Sequence, residues 1–153
     1  LDIPVKVYDP LLDENNMNRL QAEAIQFASL PEVFDCAAVS LHVPLTSKGS
    51  HATANLIERS LLARLTSTAT FINACRGGVV NEPDLIECLN NNPGIFVALD
   101  VWNSEPLVNA ELLSRANIAT PHMAGYSKRA KAGATQMLLQ QFRSNFLQVN
   151  NLN

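Results

Sequence analysis

Short apolar runs of strand character alternate with stretches of helical spacing along most of this chain, and that alternation constrains its fold more than any other feature. Leu1 to Tyr8 is a β-rich run ending at Asp9-Pro10. Ala37 to Leu41 is a buried-strand candidate, stopped by Pro44. Asn55 to Leu65 carries apolar residues at 56, 57, 61, 62 and 65, a helical spacing with Asn55 placed as an N-cap. Thr70 to Asn73 is a β-branched and aromatic strand broken by Gly77-Gly78. Asn81 is placed to cap a helix with Pro83 in its first turn and Leu85, Ile86 and Leu89 on one face, ending in the run 90–94. Ile95 to Leu99 is a strand, Glu111 to Arg115 a short helix and Asn117 to Thr120 a short strand. From Ser127 to Leu147 a long helix carries Ala130, Ala134, Leu138, Phe142 and Phe146 at intervals of four, followed by a polar tail over 148–153. Strand alternating with helix in this way predicts an α/β fold, a doubly wound parallel sheet of right-handed βαβ units.

At 153 residues, 47% of them hydrophobic, the chain has the size of one domain and can bury a core. Its net charge of −3 gives no electrostatic reason to bind nucleic acid or an anionic membrane. No apolar run approaches the roughly 20 residues that span a bilayer, and no basic-then-apolar leader stands at the start, so a cytoplasmic protein is expected. Cys36, Cys75 and Cys88 are odd in number and without C-x-x-C spacing, which predicts reduced thiols. His42, His51 and His122 do not pair at ligand spacing, and no metal site is expected.

In parallel sheets the reactive residues gather beyond the carboxyl ends of strands. The polar residues at those places here are Asp9, the His42-Val43-Pro44 turn, Arg76, Asp100 with Glu105, and His122. Arg76 follows a strand and precedes two glycines; its planar fork suits a carboxylate, and a structural ion pair is the competing role. A carboxylate beside an imidazole favours the charged ring, so Glu105 with His122 can take a proton from a hydroxyl and return it to a carbonyl. A purely structural histidine explains the same residue. Asp9, after an early strand, can accept from ribose hydroxyls or simply form the turn before Pro10. The G-x-G-x-x-G phosphate loop is absent, and Gly77-Gly78 does not match it.

Four stretches together resemble the nucleotide-binding domain of the D-isomer-specific 2-hydroxyacid dehydrogenases: Val39 to Thr46, Ile72 to Val80, Leu99 through Glu105-Pro106, and Thr120-Pro121-His122, in family order and spacing. The resemblance implies a Rossmann-type sheet, NAD as cofactor, and a small phosphorylated hydroxy acid as substrate. Arg76 would hold the substrate carboxylate, and His122 would be the acid/base oriented by Glu105. Asp9 would bind the adenosine ribose. Ala74, Cys75, Arg76, Asp100 and Gly125 would line the nicotinamide side, with Val43 in a loop packed near the cofactor. Tyr126 would contact substrate, or else simply start the last helix.

Set against the family, residues 1–147 begin at the second Rossmann strand, without the first strand, the glycine loop or the substrate domain. A sheet gapped between its halves is therefore expected, with two strand edges lacking ladder partners. The polypeptide alone is expected to be inactive and poorly stable, with a Gly-x-Gly-x-x-Gly lying upstream and a homodimer forming at full length. Other members with a different hydroxy acid, or a non-catalytic nucleotide-sensing relative, are the competing readings.

Overall fold

The computed structural model describes residues 3–23, 25–125 and 127–143. Its strands form two parallel sheets. In the smaller one, β1 (Val5–Val7) pairs with β2 (Ile25–Phe27), Val5 opposite Ile25. The larger has the order β3 (Ala38–Leu41), β4 (Thr70–Asn73), β5 (Phe96–Leu99), β6 (Ile118–Ala119). No ladder joins β1 to β3 among the described residues, so the sheet is divided at the expected place.

Alternation along the strands decides which face is core. Val39, Leu41, Phe71, Val97 and Leu99 are buried, while Ser40, Ile72, Phe96 and Ala98 on the other face are exposed or half-buried. The buried face is covered by α3 (Arg59–Leu62), α4 (Glu82–Asn91) and α5 (Ala110–Arg115), which contribute Leu61, Leu62, Leu85, Leu89 and Leu112. Each starts where a side chain or turn permits it. Asn81 caps α4 by accepting from Asp84 N at 3.1 Å, with Pro83 in the first turn. Asn109 caps α5 by accepting from Glu111 N and Leu112 N. Both satisfy amides that no intrahelical carbonyl can reach.

Three expectations need correction. Asn55 does not cap a helix: it sits at φ 51°, and α3 begins at Arg59 after Glu58. The preceding residues make a turn and then an extended segment instead, Asn55 N donating to Gly78 O at 2.8 Å and Ile57 pairing with Val80. Ile57, Leu61, Leu62 and Leu65 are buried as their spacing implied, but two backbone conformations share the work.

Secondly, the span between Asp9 and Ala37 contains α1 (Glu14–Ala22), β2 and α2 (Leu30–Val33), which the apolar periodicity did not reveal. Helix α1 buries none of its residues and starts on Asp13, which accepts from Asn16 N at 2.8 Å. Ser29 N and Oγ both donate to Glu32 Oε2 at the start of α2, a Ser-Leu-Pro-Glu signature legible in the sequence. Phe34 then enters the core against Phe71, ring centres 6.4 Å apart, and Arg64 Nε donates to Pro31 O at 2.9 Å. These contacts dock α2, which follows the small sheet, against the large sheet and its helices.

Thirdly, α6 (Lys128–Phe142), capped by Ser127, does not bury its stripe: Ala130, Ala134, Leu138 and Phe142 are exposed, Leu138 by 68%. Phe146, Leu147 and the 148–153 tail lie outside the described residues, as does Tyr126.

Candidate active site

The carboxyl ends of β4, β5 and β6 adjoin one another, because parallel neighbours end on the same side. Arg76 follows β4, Glu105 follows β5 and His122 follows β6. The first two loops touch directly. A Cβ built on Gly77 would lie 2.0 Å from Trp102 O and 2.6 Å from Asn103 N, so only glycine permits this approach. Gly77 and Gly78 thus serve packing: they open a 3₁₀ turn over Gly77–Val79, pressed on Trp102 and Leu45.

His122 Nδ1 lies 2.8 Å from Glu105 Oε2. The carboxylate has no proton to give, so Nδ1–H donates, and in the neutral ring the lone pair is then on Nε2. The two side chains are 44% and 34% exposed, open enough to meet a ligand. Trp102 N donates to the other oxygen, Glu105 Oε1, at 2.9 Å. The His122 contact, followed by that of Trp102 N–H, holds the Glu105 carboxyl below the usual carboxylate range against the opposing effect of desolvation.

His122 itself adopts φ 51°, a left-handed conformation unusual for a residue with a Cβ. Asp100 holds it there. His122 N donates to Asp100 O at 2.7 Å; Met123 N and Ala124 N donate to Oδ1 and Oδ2, each at 2.8 Å; and Thr120 Oγ1 donates to Oδ1. Burial pushes the Asp100 carboxyl up, but the bonds from Thr120, Ala124 and Met123, helped by His122, outweigh it and leave it below its ordinary value. A depressed acid stabilises the folded state above the unfolded carboxylate range near about 4, and that stability is lost as pH falls through the folded value. Asp100→Asn is therefore expected to lower the urea midpoint of the intact protein at pH 7, by a margin that shrinks as pH is lowered below about 4. A margin constant with pH would refute the ionised-anchor role.

Arg76 is exposed, its Nη1 donating to Cys75 O at 2.7 Å. No acid pairs with it among the described residues. Asp9 stands just beyond β1, exposed, with Oδ1 accepting from Leu11 N at 3.0 Å, a turn former as well as a carboxylate open to a ligand. Val43 is half-buried beyond β3, where Ser40 Oγ lies 2.9 Å from His42 Nε2. Ala74 is exposed and Cys75 half-buried; Gly125 is exposed, and a Cβ there would meet nothing within 4 Å. All three cysteines are free thiols. Beside the His122–Glu105 pair, Trp102, Pro106, Val108, Leu113 and Pro121 wall a mostly apolar cleft of about 410 Å³.

Several supporting residues were not foreseen. Asn73, Glu82, Trp102 and Thr120 carry no reacting group, yet they tie these loops together. Asn103 N donates to buried Glu82 at 2.7 Å, and Trp102 Nε1 donates to Thr120 O at 3.1 Å. A signal existed for Asn73, a polar residue at a core-facing position of β4 immediately before the Arg76 loop.

The donor set suits a dinucleotide at its two ends. Asp9 is an exposed acceptor of the kind ribose hydroxyls use, and Ala74, Arg76 and Gly125 are exposed, with open space around Gly125. The described residues offer no glycine-rich cradle for the phosphates, since Gly77-Gly78 is occupied by packing. Among the described residues no helix is long and apolar enough to cross a membrane.

A parallel sheet of this order, with Arg76, Glu105 and His122 following three adjacent strands, has the architecture of a dinucleotide-binding α/β domain. Residues 1–124 match the model of the D-isomer specific 2-hydroxyacid dehydrogenase NAD binding domain, and the chain belongs to that family. It is 41% identical over 139 residues to erythronate-4-phosphate dehydrogenase of Marinomonas sp., covering 89% of this chain and 34% of that protein. Erythronate-4-phosphate dehydrogenase of Marinobacter nauticus is also 41% identical, over 140 residues, 92% of this chain and 35% of the relative. The chain therefore spans about a third of the length of these relatives. Among solved structures, the phosphoglycerate oxidoreductase of Vibrio cholerae matches with a TM-score of 0.69 at 25% identity, covering 84% of this chain and 40% of its own. In fold alone, D-lactate dehydrogenase of Aquifex aeolicus complexed with NAD and lactic acid matches with a TM-score of 0.68 at 22% identity, over 95% of this chain and 48% of its own.

Proposed function

We propose that residues 1–147 are part of the NAD-binding domain of an enzyme that oxidises a small 2-hydroxy acid at C2, with 4-phospho-D-erythronate as its substrate, a step of vitamin B6 synthesis. The observation that carries this reading is the 2.8 Å bond between His122 Nδ1 and Glu105, with Arg76 on a loop packed against the same support. Asp9 would hold the adenosine ribose, and Val43, Ala74, Cys75, Asp100 and Gly125 would line the rest of the cofactor site. NAD, when bound, supplies the hydride acceptor. Arg76 binds the substrate carboxylate through its fork and stabilises the developing oxo acid by fixed charge. His122 Nε2 takes the hydroxyl proton, while Glu105 fixes the ring and stabilises the imidazolium that forms. Tyr126, by its place in the motif, contacts the substrate.

The names of the relatives at 41% identity support the phosphorylated four-carbon substrate. The test is an NAD-reduction assay of the intact protein against a panel of 2-hydroxy acids. 4-Phospho-D-erythronate is expected to be preferred by a wide margin in kcat/KM; preference for glycerate, phosphoglycerate or glycolate would replace the substrate and leave the reaction class. The phosphoglycerate oxidoreductase neighbour is the reason to include the second of these. A cytoplasmic homodimer at full length completes the proposal. A nucleotide-sensing protein without turnover is the remaining alternative, which the presence of Arg76, Glu105 and His122 together disfavours.

A further inference from the structure

The side chain of Asn73 is 2% exposed at the last position of β4, where a purely structural strand would carry an apolar residue. Its amide is spent entirely on the loop that follows. Oδ1 accepts from Cys75 N at 3.2 Å and from Cys75 Sγ at 3.1 Å, and Nδ2 donates to Arg76 O at 3.2 Å. The backbone of Asn73 is fixed as well, its carbonyl accepting from Asp100 N at 3.0 Å. Ala74 to Arg76 belong to neither strand nor helix, and Arg76, at φ −150° and ψ 141°, precedes the 3₁₀ turn without capping it through its side chain. The loop's course is set from below by one amide and from the far side by Gly77 against Trp102.

We infer that Asn73, which is buried beneath the site, is a positioning residue that sets the affinity for the substrate carboxylate by holding the Arg76 backbone in place. The inference rests on the proposed reading of Arg76 as the carboxylate ligand. Only an amide fits the clip, because it must accept from an N–H and donate to a carbonyl from the same short side chain. Displacing Arg76 by a fraction of an ångström moves its fork off the carboxylate, and bidentate pairing tolerates little misplacement.

The test uses the intact protein, with initial rates at varied hydroxy acid and NAD, and calorimetric titration of oxalate as a carboxylate probe in the presence of NADH. Asn73→Ala is expected to raise the KM for the hydroxy acid and weaken oxalate between about tenfold and about a hundredfold, with the pH profile of kcat kept. In an Arg76→Ala background the same change is expected to do nothing more to KM, because both act through one group. If Asn73→Ala does not fold, the isosteric Asn73→Asp keeps the acceptor and removes the donor to Arg76 O, with the same expected rise. A loss additive to that of Arg76→Ala, or a fall in thermal stability with KM and oxalate affinity unchanged, would overturn the inference while leaving the proposed function intact. Should the unaltered protein bind neither oxalate nor any 2-hydroxy acid, the functional reading falls and the inference with it.

Discussion

His122→Gln in the intact protein is expected to lower kcat by about 10²–10⁴-fold, the usual contribution of a positioned general acid or base. Glutamine keeps hydrogen-bonding capacity at similar length but cannot accept and hold a proton. Because Nδ1 is committed to Glu105 and Nε2 alone faces outward, no second basic nitrogen can substitute. NAD affinity, followed by fluorescence quenching, is expected to change by less than about threefold. Glu105→Gln should fall between the two: the ring keeps a partner but loses the charge that stabilises its protonated form. Turnover unaffected by His122→Gln would eliminate the acid/base assignment and favour the sensor reading.

Gly77→Ala is expected to destabilise the intact protein by at least about 3 kcal/mol, combining overpacking with the breakage of a hydrogen bond or two. The obstacle is backbone on every side: Trp102 O at 2.0 Å, Trp102 C at 2.1 Å and Asn103 N at 2.6 Å from the added Cβ. That segment cannot retreat cheaply. Trp102 N is bound to Glu105, Asn103 N to Glu82, and the indole N–H to Thr120 O. Two other glycines serve as controls in the same urea titration. At Gly78 the added methyl meets the flexible Leu45 side chain at 3.2 Å, which can yield. At Gly133, inside α6, it meets nothing within 4 Å, and alanine should stabilise by up to about 1 kcal/mol through helix propensity. Near-equal midpoints for the alanine variants at 77 and 78 would show that the close approach is not rigid. A loss of activity in Gly77→Ala without loss of stability would place its effect on Arg76 alone.

Most of the large sheet was legible in the residues because each strand there is a short apolar run with a clear stop. Pro44, Gly77, Asp100 and Pro121 end their runs, and β3 through β6 lie within the expected spans. Asn81 as a cap and Pro83 behind it were likewise readable, since capping is local chemistry. The 56–65 pattern gave the correct buried residues but the wrong conformation before Arg59, because pairing of Ile57 with Val80 overrides helical spacing. Helix α1 buries nothing, so no apolar period marks it in the sequence. The α6 stripe is the reverse case, a period present with its face exposed.

By itself, the sequence determined the parallel α/β class, the core-facing residues of the large sheet, and the presence of one Arg, one Glu and one His beyond three successive strands. Those follow from periodicity and from residue chemistry, which are properties of short segments. Only the tertiary structure decided that His122 is bonded through Nδ1 to Glu105, that Asp100 is spent anchoring a left-handed His122, and that Gly77 is a contact between loops. Each of these joins residues far apart in the chain, and a hydrogen bond or a steric limit between such residues exists only once packing has brought their strands to one edge.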